Sequence, residues 1–153
     1  MLIILVVLFL IAGGLGSIFV NSSINMWYRF LKKPFFSPPN FLFAPVWTIL
    51  YILLAVFYSR LDKIYKKTND REIKKLKGLF ILQLVINYMW TPVFFGLKSV
   101  LGGLIVILVL DFFVVRMTFM SYKVDKICFY ISLIYLVWLL YATSLNLGVF
   151  ILN

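Results

Sequence analysis

The chain has 153 residues, of which 64% are apolar and 13% charged, and its formal net charge is +10. A soluble domain carries about 45–50% apolar and about 25% charged residues, so this balance argues against a water-soluble enzyme, a disordered chain and a nucleic-acid binder. The mean hydropathy is +1.06, and the roughly 98 apolar residues suffice for about five bilayer spans of about 20 residues each.

There is no histidine and a single cysteine, Cys128. A His general base, a His-held metal, a His-ligated haem and an intrachain disulfide are therefore excluded, and no metal site is expected.

In chain order, residues 2–20 form an apolar stretch without a charge. It has neither the basic flank of a signal peptide nor a clean cleavage site, so it reads as a retained helix. Residues 21–40 follow as a long loop rich in Pro, Phe, Lys and Ser. The second span covers residues 41–59, and a charged loop covers residues 60–78. The third span, residues 79–97, carries Gln83 and Asn87. Only residues 98–99 separate it from the fourth, residues 100–120, so these two helices are expected to pair as an antiparallel hairpin. The fourth carries Asp111 and Arg116; residues 121–126 then lead to the fifth, residues 127–152. Long unbroken apolar runs favour helices over a barrel of short alternating strands. The expected fold class is an all-α membrane protein, a five-transmembrane-helix bundle forming one domain over residues 1–153.

Lys and Arg set the expected orientation. Residues 60–78 hold eight of them, and Lys123 and Lys126 add two on the side of the N-terminus. The other side has four: Arg29, Lys32, Lys33 and Lys98. The positive-inside rule places the N-terminus in the cytoplasm and the first loop and C-terminus outside. Arg116 is expected to snorkel to the cytoplasmic interface.

The densest signal is WYRFLKKPFFSPPNFLFAPVWTILY, from Trp27 to Tyr51, which holds Pro34, Pro38, Pro39 and Pro45. Proline fixes φ and removes a donor, so this segment is stiff. It reads either as an interfacial loop with an aromatic belt or as a structured lid over a pocket. On helix three, Gln83, Asn87, Trp90 and Phe94 recur at four, three and four, which puts them on one face. Amides facing lipid are costly, so that face should point into the bundle, for interhelical hydrogen bonds or as a ligand wall. Pro92 should kink this helix. Helix five repeats the pattern with Tyr135, Trp138, Ala142 and Asn146, and helix two offers Trp47, Tyr51 and Tyr58. Three helices turning aromatics and amides inward describe a pocket for a large, flat, apolar ligand. Asp111 is either a functional group or a structural hydrogen-bonding partner of a neighbouring helix. The glycines at 13, 14, 16, 102 and 103 allow close packing, within the bundle or at a dimer face.

These residues resemble the TspO/MBR family, the bacterial tryptophan-rich sensory proteins and the mitochondrial translocator protein. The family pattern WYxxLxKPxFxPP followed by PVWxxLY is met by Trp27, Tyr28, Leu31, Lys33, Pro34, Phe36, Pro38, Pro39, Pro45, Val46, Trp47, Leu50 and Tyr51. NxxWxPxFF is met by Asn87, Trp90, Pro92, Phe94 and Phe95, and the helix-four aspartate by Asp111. PYxxWxxxATxLN is met by Tyr135, Trp138, Ala142, Thr143, Leu145 and Asn146, but Ile134 replaces its proline, so helix five should be straighter. Residues 146–153 lack the Tyr and basic residue of the animal cholesterol motif.

The resemblance implies a homodimer in a lipid bilayer, and no cofactor is expected to be required; eleven lysines against four arginines point to a bacterial cell membrane. By the same resemblance the protein would bind porphyrins such as protoporphyrin IX or haem, and benzodiazepine-type ligands. The pocket residues carried over by position are Tyr28, Trp47, Tyr51, Asn87, Trp90, Phe94, Trp138 and Ala142. Two alternatives stand beside binding: an enzyme for light- and oxygen-dependent breakdown of bound porphyrin, for which the resemblance implies Trp47 and Trp138 as the catalytic groups, and a transporter of porphyrin or lipid.

Overall fold

A computed structural model describes the backbone of all 153 residues and every side chain except that of Ser17. Five long helices carry the chain: α1 (Leu2–Ile24), α2 (Phe43–Thr68), α3 (Arg71–Thr91), α4 (Val100–Val124) and α5 (Lys126–Leu152). Each contains a stretch long and apolar enough to cross a membrane. In hydrocarbon every backbone N–H and C=O must be bonded internally. That requirement overrides the weak helix propensity of the β-branched residues in a run such as Leu2–Val7. The expected five-helix bundle is thus the observed one.

The helices run further than the apolar stretches. The expected charged loop over residues 60–78 shrinks to Asn69 and Asp70. Asn69 adopts the left-handed conformation, φ 50° and ψ 31°, and its N–H closes α2 on the Tyr65 carbonyl at 2.7 Å. Asp70 then caps α3, accepting from the Glu72 N–H at 2.6 Å. The protruding turns stay helical because they are amphipathic. Leu61, Ile73 and Leu76 are buried between them. The Asp62 carboxylate is clamped by Lys66 at 2.8 Å and by Lys77, across the helix pair, at 2.6 Å. In the same way residues 121–126 reduce to Asp125, the one extended residue between α4 and α5. Asp125 accepts from the Cys128 N–H at 2.9 Å and takes a two-pronged bond from Arg60 on α2, at 3.1 and 2.9 Å. Arg60 holds its carboxyl down at a pKa of about 2.

The Pro92 kink takes a defined form. Proline cannot donate to the α-helical ladder, and Pro92–Gly96 widens into a π turn closed by the Leu97 N–H on the Pro92 carbonyl at 2.9 Å. The wider turn leaves both Phe94 and Phe95 buried. With Ile134 in place of proline, α5 is unbroken from Lys126 to Leu152.

The core joins α2, α3, α4 and α5 through Leu54, Phe57, Leu76, Phe80, Val114, Met117, Ile131 and Leu139. Outward-facing aliphatics on α1, such as Ile3, Leu8, Ile11, Leu15 and Ile18, form a surface suited to lipid. Glycines of α1 and α4 make close contacts inside the bundle. A Cβ at Gly103 would lie 2.5 Å from Phe94 and 3.1 Å from Asn146, and one at Gly13 would meet the Tyr51 ring.

Candidate functional site

The inward stripes meet in a buried relay. The Tyr51 hydroxyl donates to Asn87 Oδ1 at 3.1 Å. Asn87 Nδ2 donates to the Tyr135 oxygen at 3.0 Å, and the Tyr135 hydroxyl donates to Gln83 Oε1 at 3.0 Å. Four side chains thereby tie α2, α3 and α5 together, all of them buried. Tyr88 adds α1 by donating to the Phe9 carbonyl at 3.1 Å.

One level nearer the first loop, Trp90 Nε1 donates to Asn146 Oδ1 at 3.2 Å, and Asn146 Nδ2 donates to the Val100 carbonyl at 3.2 Å. The Trp90 ring stacks on Phe94 at 4.9 Å. Phe94 in turn meets Trp27 edge-on at 5.5 Å and Tyr28 at 6.2 Å. The Tyr28 ring packs on Phe95 at 5.3 Å, and the Lys33 ammonium lies 4.1 Å above it. Burial pushes the Tyr28 phenol pKa up.

Trp138 lies apart from both sets. Its ring meets Phe43 at 6.3 Å and Tyr141 at 5.5 Å. Its indole Nε1 is buried and has no hydrogen-bond partner among the described residues. Trp47 packs on Tyr51 at 5.5 Å, and Tyr51 on Tyr88 at 5.6 Å.

The first loop is bound to α5 at several points. Tyr141 donates to the Phe36 carbonyl at 2.9 Å. Asn153 forms a two-way clasp with the Lys32 backbone, accepting from its N–H and donating to its carbonyl, both at 2.9 Å. Gly148 admits Pro34, whose Cγ would be 2.8 Å from a Cβ there. The loop is thus a structured cover over this end of the bundle; its prolines predict the stiffness, not the contacts with α5.

The eight carried-over residues fall into three groups. Tyr51 and Asn87 belong to the relay, joined by Trp47 through its ring contact. Tyr28, Trp90 and Phe94 form the aromatic stack under the loop. Trp138 and Ala142 sit half-buried on α5. Among the described residues no ring contact joins Trp47 to Trp138. Asp111 accepts from Thr143 Oγ1 on α5 at 2.7 Å, the structural hydrogen bond that its position allowed.

Sequence reasoning passed over Phe43 and Tyr141 as neighbours of Trp138. Both were legible: Phe43 precedes Trp47 by four residues and Tyr141 follows Trp138 by three, so each lies on the face of a tryptophan already singled out. Asn153 gave no signal, because its partner is the backbone of a residue 121 positions away.

The comparisons with known proteins agree with this architecture. The model of the TspO/MBR family matches residues 3–152. The chain is 39% identical over 142 residues to the tryptophan-rich protein TspO of Archaeoglobus fulgidus, covering 92% of this chain and 89% of that one. It is 34% identical to the protein CrtK of Rhodobacter capsulatus, covering 93% and 86% of the two chains. It is 30% identical to the human translocator protein over 131 residues, covering 86% and 77%. A match across nearly the whole chain, on a bundle of five apolar helices, makes this protein an integral membrane member of the TspO/MBR family.

Proposed function

We propose that the protein is a membrane receptor for flat tetrapyrroles, above all protoporphyrin IX, and for benzodiazepine-type ligands, taken up beneath the first loop. The observation that carries this reading is the unpartnered Trp138 indole N–H. A buried donor without an acceptor costs free energy in a medium that supplies no water. A pyrrole nitrogen or a ligand carbonyl entering beside Trp138 supplies the acceptor. The aromatic rings of Phe43 and Tyr141 beside it offer stacking surface of the kind a macrocycle needs, and Trp47 adds to it on α2, where it packs on Tyr51. Arg29, Lys32 and Lys33 in the covering loop are the cations for its propionates. With no histidine in the chain, recognition rests on shape and stacking, which favours a free-base porphyrin over haem held by a His ligand.

The proposal includes a homodimer in a bacterial cell membrane, with the N-terminus cytoplasmic and the first loop outside. Ten Lys and Arg at one end of the bundle against four at the other support that orientation.

Titration of protoporphyrin IX into the detergent-solubilised protein, followed by tryptophan fluorescence, tests the site. Trp138→Ala and Trp47→Ala are each expected to weaken binding about tenfold, the scale of one lost aromatic contact. Wild-type affinity in both variants removes these residues from the site and the proposal with them.

A further inference from the structure

At the opposite end of the bundle, α4 turns an unusual stripe outward. Phe112, Arg116, Phe119 and Lys123 recur at four, three and four, so they share one face, and all four are exposed. Arg116 lies four residues inside the end of the apolar stretch 100–120, about 6 Å at 1.5 Å per residue. A cation near the edge of the hydrocarbon on a lipid-facing helix favours a counter-charge there.

The protein does not supply one. Among the described residues neither Arg116 nor Lys123 forms an ion pair. Two acids line the cleft beside the stripe: Glu72, which pairs with Lys75 at 2.6 Å, and Asp70, which caps α3 and keeps its charge. The stripe borders a cleft of about 770 Å³, whose far wall is Ile64 and Thr68 of α2 with Ile73 of α3. A second cleft of about 460 Å³ shares Arg116, Glu72 and Met120 with it and continues along α3 past Leu79 and Leu82. Together they form a groove with cations at its outer end and aliphatic and aromatic walls further in.

We propose that this groove is a binding site for one anionic glycerophospholipid. Its phosphate sits between Arg116 and Lys123, and its acyl chains lie along Phe112, Phe119 and Leu82. Charge complementarity selects this occupant. Among the described residues Arg116 and Lys123 form no ion pair, Lys75 offsets Glu72, and Asp70 leaves the lining with a net positive charge, so an amphiphile with one phosphate matches a groove that is basic at one end and apolar at the other. The site is separate from the aromatic region under the first loop.

Native mass spectrometry of the solubilised wild-type chain, titrated with phosphatidylglycerol or phosphatidylcholine of equal acyl length, tests the proposal. The expected result is one phosphatidylglycerol per chain, retained at about tenfold lower concentration than phosphatidylcholine. Arg116→Gln/Lys123→Gln is expected to abolish that preference, and Arg116→Lys to keep it. Lys67→Gln/Lys126→Gln removes two exposed charges from the same end but outside the groove, and is expected to keep it too. Equal retention of the two lipids by the wild type overturns the proposal. So does an equal loss of preference in the Lys67/Lys126 variant, which would reduce the effect to general surface charge. An undiminished preference in Arg116→Gln/Lys123→Gln, with a changed dimer fraction, would assign the face to a second copy of the chain and likewise overturn it.

Discussion

At the scale of single residues, the buried relay carries the most specific claim. Tyr135 both accepts from Asn87 and donates to Gln83, so it is the relay's centre. Tyr135→Phe leaves Asn87 Nδ2 and Gln83 Oε1 without partners in a dry interior. The expected cost is about 1–3 kcal/mol, read as a lowered thermal midpoint of the solubilised protein. Tyr51→Phe removes one terminal donor and is expected to cost less, about 0.5–1.5 kcal/mol. Equal midpoints for Tyr135→Phe and wild type would mean that the relay contributes nothing. Helical periodicity already turns Gln83, Asn87, Tyr51 and Tyr135 inward in the sequence. Which of them pair is not legible there, because pairing depends on the axial offset between helices, and no one-dimensional pattern encodes that offset.

At the scale of elements, the helix ends differ most from the sequence reading. Apolar stretches mark where the chain is in hydrocarbon, whereas helices end where capping and backbone geometry end them. Asp70 and Asp125 are such caps, and both stand before a helical run as a capping residue should. Asp125 also ties α5 to Arg60 of α2. Asp125→Ala removes cap and bridge together, at an expected cost of about 1–2 kcal/mol, whereas Asp125→Asn keeps much of the cap. The pH dependence follows from the carboxyl's pKa of about 2 in the folded chain, against about 3.9 when unfolded. A lowered folded pKa makes the charge's contribution complete above the unfolded value and lost as pH falls towards the folded one. The difference in thermal midpoint between wild type and Asp125→Asn should therefore be full at pH 6 and shrink between about pH 4 and pH 2. Packing at the glycines gives a second prediction. Gly103→Ala drives a methyl into Phe94 and should cost about 1–3 kcal/mol. Gly78→Ala, where a Cβ meets nothing within 4 Å, should gain up to about 1 kcal/mol from helix propensity.

At the scale of the whole molecule, the sequence makes the bundle legible because five apolar runs leave few alternatives. It makes a stiff, structured first loop legible too, from three prolines ahead of α2, but not that the loop folds onto α5. It does not reveal that the tryptophans divide into a stack with Trp90 under the loop and a separate Trp138 facing Phe43, because both arrangements satisfy the same helical spacing. The proposed orientation is checked in intact cells with a membrane-impermeant thiol reagent. Cysteine at Phe35, which is 99% exposed at the loop end, should label, and cysteine at Lys67 should not; the reverse pattern inverts the topology. The central claim is that a flat tetrapyrrole occupies the aromatic end beneath the first loop. Hydrogen exchange of the solubilised protein with and without protoporphyrin IX tests it most directly. Slowed exchange is expected in residues 25–42 and in α5 around Trp138, with residues 60–75 unchanged. Protection confined to residues 60–75 and 112–124, or none under the loop at saturating porphyrin, would contradict it.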